Sequence, residues 1–92
     1  MKAKARHILV KSKKECESIK AKIEAGSDFA DMAKLLSLCP SGPRSGGNLG
    51  EFFEGQMVPE FDKVVFNAEV GVIHGPVKTS FGYHLIEILE RS

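Results

Sequence analysis

Two histidines at opposite ends of the chain, His7 and His84, are the residues best placed to do chemistry, because each interrupts an aliphatic run: His7-Ile8-Leu9-Val10 and Tyr83-His84-Leu85-Ile86. A single histidine in such a run is ordinarily a core residue satisfied by a hydrogen bond. Two of them, each near the middle of an expected central strand, can meet as a cross-strand pair. Neutral imidazole both donates and accepts, so two rings can form a chain whose tautomers are fixed by what each outer nitrogen meets. The Thr79 hydroxyl and the Cys39 thiol could complete a polar floor with them. Cys39 has two readings, a small buried hydrophobe and a thiolate nucleophile activated by imidazole, as in a Cys–His hydrolase. Against hydrolysis, no oxyanion-hole pattern is readable and the chain is short for a protease.

Residues 46–66, GGNLGEFFEGQMVPEFDKVVF, are the second feature. Leu49, Phe52, Phe53, Met57 and Phe61 lie there among glycines, with little regular period. Apolar side chains on irregular backbone suit either core beneath a loop or the greasy wall of a small binding site.

The remaining elements must hold these groups together. The apolar centre Ile8-Leu9-Val10, too short for an isolated helix, predicts a strand over residues 3–11. Ser12-Lys13-Lys14-Glu15 is a capping box opening a helix with Cys16, Ile19 and Ile23 on one face, stopped at Gly26. Ser27 or Asp28 caps a second helix, with Phe29, Ala33 and Leu36 on its apolar face and an end near Leu38. Residues 39–48 are rich in Pro, Gly and Ser and read as an ordered or mobile loop. A short strand over 49–53 follows. Pro59 then starts a third helix with Phe61, Val65 and Ala68 on one face, before an edge strand over 75–79, since Pro76 cannot donate to a ladder. The last strand, 83–89, puts His84, Ile86 and Ile88 on one face and Tyr83, Leu85 and Leu89 on the other. The order strand-helix-helix-strand-helix-strand-strand predicts an α+β domain with a mixed or antiparallel sheet of about four strands.

Ninety-two residues allow one domain, residues 1–92, with one core. A hydrophobic share of 42%, a charged share of 27% and a net charge of +1 are those of a soluble globular protein without global attraction to nucleic acid or anionic membranes. The basic residues Lys2, Lys4, Arg6, Lys11, Lys13 and Lys14 precede any acid, yet no aromatic residue is interleaved with them, so they read as solvated edges. No run approaches the ~18 apolar residues of a membrane span, nor does the amino end look like a signal peptide. The expectation is a cytoplasmic protein with Cys16 and Cys39 reduced. Two isolated cysteines do not make a zinc ligand set, so no metal is expected.

Taken together, four blocks in this order resemble the parvulin family of peptidyl-prolyl cis/trans isomerases, in particular its small stand-alone bacterial members. They are His7-Ile8-Leu9-Val10-Lys11 with Cys39-Pro40-Ser41-Gly42; Gly46-Gly47-Asn48-Leu49-Gly50-Glu51-Phe52; Gly55-Gln56-Met57-Val58-Pro59-Glu60-Phe61; and Gly75-Pro76-Val77 with Phe81-Gly82-Tyr83-His84. The resemblance implies a four-stranded antiparallel sheet surrounded by about four helices. It also implies a folding enzyme that turns X–Pro bonds in unfolded or nascent proteins, working as a monomer without a cofactor. His7, Cys39, Thr79 and His84 would correspond to its catalytic residues. Leu49, Met57 and Phe61 would take the substrate proline ring, with Phe52 beside them. Phe81 near the pocket implies an apolar residue before proline. Phosphate-selective parvulins carry a long arginine-bearing loop after the first strand, whereas here Ser12 leads straight into a helix, which implies a non-phosphospecific member. Asn48 stands where the family usually has aspartate, and His74, outside the blocks, is expected at the surface.

Overall fold

The computed structural model of the chain describes residues 1–39 and 44–92. Of the Pro/Gly/Ser-rich stretch 39–48 expected to be a loop, residues 40–43 lie outside the described residues, while Arg44 and Ser45 are helical and Asn48 opens the second strand, so the stretch is not loop throughout. The described elements are β1 (Lys2–Val10), α1 (Lys13–Glu24), α2 (Phe29–Leu36), β2 (Asn48–Phe53), α3 (Pro59–Asn67), β3 (Ile73–Thr79) and β4 (Gly82–Arg91). They follow the expected order, with three helices lying wholly among the described residues where about four were anticipated.

All strand pairs are antiparallel, in the order β2-β1-β4-β3. The first and last strands are therefore the central neighbours, and β3, with Pro76, is at an edge, where a residue without an N–H is tolerated. Alternation along β1 splits the core between two faces. Ala3 and Ala5 pack with Phe52, Phe61, Val65, Phe66 and Ile86 under α3. Ile8 and Val10 pack with Cys16, Ile19, Phe29, Ala33 and Leu85 under α1 and α2.

Local signals account for the helix ends. Ser12 Oγ accepts from the Glu15 N–H at 3.1 Å, and Asp28, not Ser27, caps α2, its Oδ2 accepting from the Asp31 N–H at 3.0 Å. The carbonyls at the end of α3 are met by Arg91, whose Nη1 donates to Val65 O at 2.9 Å and Ala68 O at 2.6 Å. A cation there also suits the helix dipole.

Several expectations need correction. Leu36 lies on the exposed side of α2, because the helix ends there and the chain turns to follow β1. Ala68 only caps α3, and Phe66 fills the core instead. Leu89 is exposed rather than sharing the face of Leu85: Ile88 pairs with Ala5 and Glu90 with Lys4, so Leu89 is the extra residue of a bulge. His74 is partly exposed, in keeping with the surface position expected of it, and its Nε2–H donates to Glu69 O at 2.7 Å. Of the early basic residues, Lys2 pairs with Glu51 and Lys4 with Glu90, while Arg6 binds Glu87 at 2.6 Å and lies over the Phe29 ring. None of the described helices is long and apolar enough to cross a membrane.

Candidate active site

His7 and His84 come from the two central strands. Leu9 is the direct partner of His84 and Ile86 that of His7, so the histidines are diagonal neighbours on one face, close enough for long side chains to meet. Their Nδ1 atoms are 3.0 Å apart. The ring centroids are 5.2 Å apart with planes 15° from parallel. With that short Nδ1···Nδ1 distance, the rings meet edge to edge rather than face on face. His84 Nε2 lies 2.7 Å from Thr79 Oγ1, and the same hydroxyl oxygen accepts from the Phe81 N–H at 3.2 Å.

Phe61, from the first turn of α3, stands nearly perpendicular to both imidazoles, with centroids at 5.5 Å from His7 and 5.6 Å from His84. Its ring helps keep water from the pair. Burial therefore holds both histidines neutral. It pushes His7 down to about 4, assisted by the proximity of His84, and it lowers His84 as well.

Glycines let the backbone close tightly around this pair. A Cβ at Gly47 would stand 2.3 Å from His7 O, and one at Gly75 would stand 2.5 Å from His84 O, both at positive φ. Gly47 O in turn accepts from the His7 N–H at 2.9 Å. Past that point β2 leaves the edge of β1 and residues 37–39 replace it. Leu38 N–H donates to Leu9 O at 2.8 Å, and Ser37 Oγ accepts from the N–H of Leu9 at 3.0 Å and of Cys39 at 3.4 Å. This pins Leu38 and Cys39 beside the histidines.

On the other side, the turn between β2 and α3 is braced by two side chains. Gln56 Oε1 accepts from Phe53 N–H, and Asp62 Oδ1 accepts from Gly55 N–H at 2.9 Å. Asn48 Oδ1 accepts from Gly50 N–H at 2.7 Å, so the amide oxygen braces the start of β2.

Between these parts lies a cavity of about 420 Å³ lined by His7, Leu9, Leu38, Cys39, Leu49, Met57, Val58, Phe61, Phe81 and His84. Its wall is almost all carbon, because the histidine Nδ1 atoms are turned to each other and His84 Nε2 to Thr79. The expected polar floor is thus a dry floor with its hydrogen bonds directed beneath the surface. Leu49, Met57, Phe61 and Phe81 meet the histidines and Cys39 in one place, as the sequence suggested. Phe52 does not line the cavity: it is buried behind Phe61, 6.4 Å away centroid to centroid, and packs on Phe66. Thr79 also lies outside the wall and touches the site through His84. Leu9, Leu38 and Val58 are wall residues that sequence reasoning did not single out. Alternation from His7 would have found Leu9, whereas Leu38 carries no local signal.

A PPIC-type PPIase domain model matches residues 1–92. The chain belongs to the PPIC-type, or parvulin, family of peptidyl-prolyl isomerases. The foldase protein PrsA of Geobacillus sp. (strain WCH70) is 44% identical over 90 residues, covering 98% of this chain and 33% of that protein. The crystal structure of PrsA from Bacillus cereus superposes with a TM-score of 0.91 at 44% identity, covering 99% of this chain and 35% of that one. The solution structure of NmPin, the parvulin of Nitrosopumilus maritimus, gives 0.85 at 38% identity and covers 97% and 96% of the two chains. The parvulin domain thus spans about a third of the length of the curated relatives it matches and nearly all of NmPin. In this fold the histidine pair of the two central strands and the apolar cavity lie together.

Proposed function

We propose that this parvulin domain catalyses cis/trans rotation about X–Pro bonds without forming a covalent bond to its substrate. The observation that carries this reading is the dry cavity resting on a neutral, mutually hydrogen-bonded histidine pair. Rotation about a peptide bond breaks amide resonance, against a barrier of ~18–20 kcal/mol. The planar amide is the more charge-separated form, so carbon walls favour the twisted one, and site dipoles fixed in advance add to this without reorganising. Leu49, Met57 and Phe61 hold the proline ring; His7 and His84 shape the floor and hold their own protons, acting on orientation rather than as general bases. Cys39 contributes to the wall. Phe81 at the rim favours an apolar residue before proline.

The reading extends to unfolded or nascent polypeptides as clients, supported by relatives named foldases, and to a single chain acting in a reducing cytoplasm without nucleic acid. Its support is in the sequence: a net charge of +1 gives no global pull toward nucleic acid, and two isolated cysteines make no disulfide framework.

Exchange NMR on a short X–Pro peptide tests the activity directly. Enhanced cis/trans exchange that survives Cys39→Ser is the expected result. Its loss in a folded Cys39→Ser variant would point to covalent chemistry. Binding shifts without enhanced exchange would leave a peptide-binding module, the second reading that an apolar cavity allows.

A further inference from the structure

Between α2 and the cavity the chain passes from one face of the sheet to the other. Phe29 and Ala33 of α2 pack on Ile8 and Val10, whereas Leu38 and Cys39 line the cavity on the face of His7 and Leu9. Ser37 makes the crossing at the edge of β1 that β2 has left. Both backbone groups of Leu9 open to that edge: its C=O accepts from Leu38 N–H at 2.8 Å, and its N–H donates to Ser37 Oγ at 3.0 Å. A side-chain oxygen here stands where a neighbouring strand would offer a carbonyl. Successive residues of a regular strand point to opposite faces, so a true strand partner could send only one of Leu38 and Cys39 to the cavity. With the hydroxyl as acceptor the backbone turns instead, and both side chains reach the wall. The same oxygen accepts from Cys39 N–H at 3.4 Å, and Ser37 N–H donates to Ala33 O at 3.0 Å, fixing the residue to the end of α2.

We infer that Ser37 is a positioning residue of the isomerase site: its hydroxyl clasps the Leu38–Cys39 wall to β1 and so keeps the cavity shaped for the prolyl segment. Ser37 does not itself line the cavity; it acts through Leu9, Leu38 and Cys39. This rests on the isomerase reading above and adds a residue to it. Removing the hydroxyl takes that acceptor from the Leu9 and Cys39 N–H groups, while the sheet keeps its β2-β1-β4-β3 ladders. The wall then spends part of its time away from β1. A ligand that needs the wall in place binds more weakly, in proportion to the fraction of molecules that hold it there, whereas the step in the assembled complex is the same. Partial unfolding does the opposite. It lowers the concentration of working sites, and kcat with it, at constant KM.

The test titrates a short X–Pro peptide against wild type and variants by exchange NMR, which separates kcat from KM. Ser37→Ala is expected to raise KM about tenfold, the factor that one net hydrogen bond supplies, with kcat within about twofold of wild type. Ser37→Thr keeps the hydroxyl and suits the extended backbone of Ser37, at φ −70° and ψ 136°, so it is expected to restore the wild-type KM. Ser12→Ala removes the cap of α1 and serves as the control for lost stability, with KM expected unchanged. An unchanged KM in Ser37→Ala overturns the positioning role, as does an equal rise in Ser37→Thr or Ser12→Ala. A loss confined to kcat overturns it too, being the mark of fewer folded molecules. Should Ser37→Ala not fold, Ser37→Cys decides instead: sulfur is a weaker acceptor in the same place, so KM is expected to rise about threefold, and no rise overturns the role. If wild type binds the peptide without accelerating exchange, the isomerase reading fails and Kd alone decides the clasp: about tenfold weaker binding to Ser37→Ala upholds it, and equal binding overturns it.

Discussion

The Nδ1 atoms of His7 and His84 face each other at 3.0 Å, so the pair is bonded only while one of them, and not both, carries a proton. The Thr79 hydroxyl at the far nitrogen of His84 links that choice to a third group. If Thr79 O–H donates to His84 Nε2, then His84 Nδ1–H donates to His7; if His84 Nε2–H donates to Thr79, His7 donates instead.

Removing one ring takes away the group that the other's Nδ1 faces. His84→Ala is expected to destabilise the domain by about 2–4 kcal/mol, combining a cavity with the loss of the buried hydrogen bond at His7 Nδ1. His7→Ala and the double variant complete a thermodynamic cycle in urea. The double variant is expected to lose clearly less than the sum of the singles; strict additivity would show that the two rings do not act together.

Acid acts on the same pair. Both histidines titrate lower in the folded chain than the ordinary value of 6.5, His7 near 4. Between those values the unfolded chain binds more protons, so stability is full above about pH 6.5 and declines as pH falls toward 4. His7 alone is expected to contribute on the order of 3 kcal/mol to this loss. Urea midpoints measured from pH 7 to pH 4, together with His7 ring shifts followed by NMR, check it. A His7 ring that becomes protonated near pH 6.5 in the folded state would refute the dry site.

Met57 and Phe52 separate wall from core. Met57 is half-buried on the cavity wall, so Met57→Ala is expected to cut kcat/KM about tenfold, equivalent to roughly 55 Å² of lost apolar contact, with little change in the urea midpoint. Phe52 is buried behind the wall. Phe52→Ala is expected to cost about 3–5 kcal/mol of stability, while Phe52→Leu leaves turnover near wild type. The reverse pattern would return Phe52 to the substrate surface.

Gly47→Ala puts a Cβ against the carbonyl oxygen of His7 at positive φ. The backbone conformation alone costs roughly 1–2 kcal/mol for an L-residue, and relief of the clash has to move β1 or the 46–48 turn. A fall in stability of at least about 2 kcal/mol, with turnover reduced in the fraction that remains folded, is expected from paired urea and exchange measurements. A neutral substitution would mean that the histidine strand tolerates displacement.

Much of this site was legible in the residues because local rules wrote it. Period-two alternation placed His84 with Ile86, the Ser12 and Pro59 signals opened their helices, and Pro76 sent its strand to an edge. Even the grouping of Leu49, Met57, Phe61 and Phe81 with the histidines was recoverable from the four blocks. Which atoms face the cavity was not. Strand register made His7 and His84 diagonal partners and turned their nitrogens inward, converting an expected polar floor into carbon. Packing against Phe66 drew Phe52 off the wall, and hydrogen bonds between residues 37–39 and β1 carried Leu38 onto it. Alternation and caps depend on neighbours a few residues away, so they can be read along the chain. Register and cavity facing depend on contacts across the whole sequence, and these exist only once the sheet has closed.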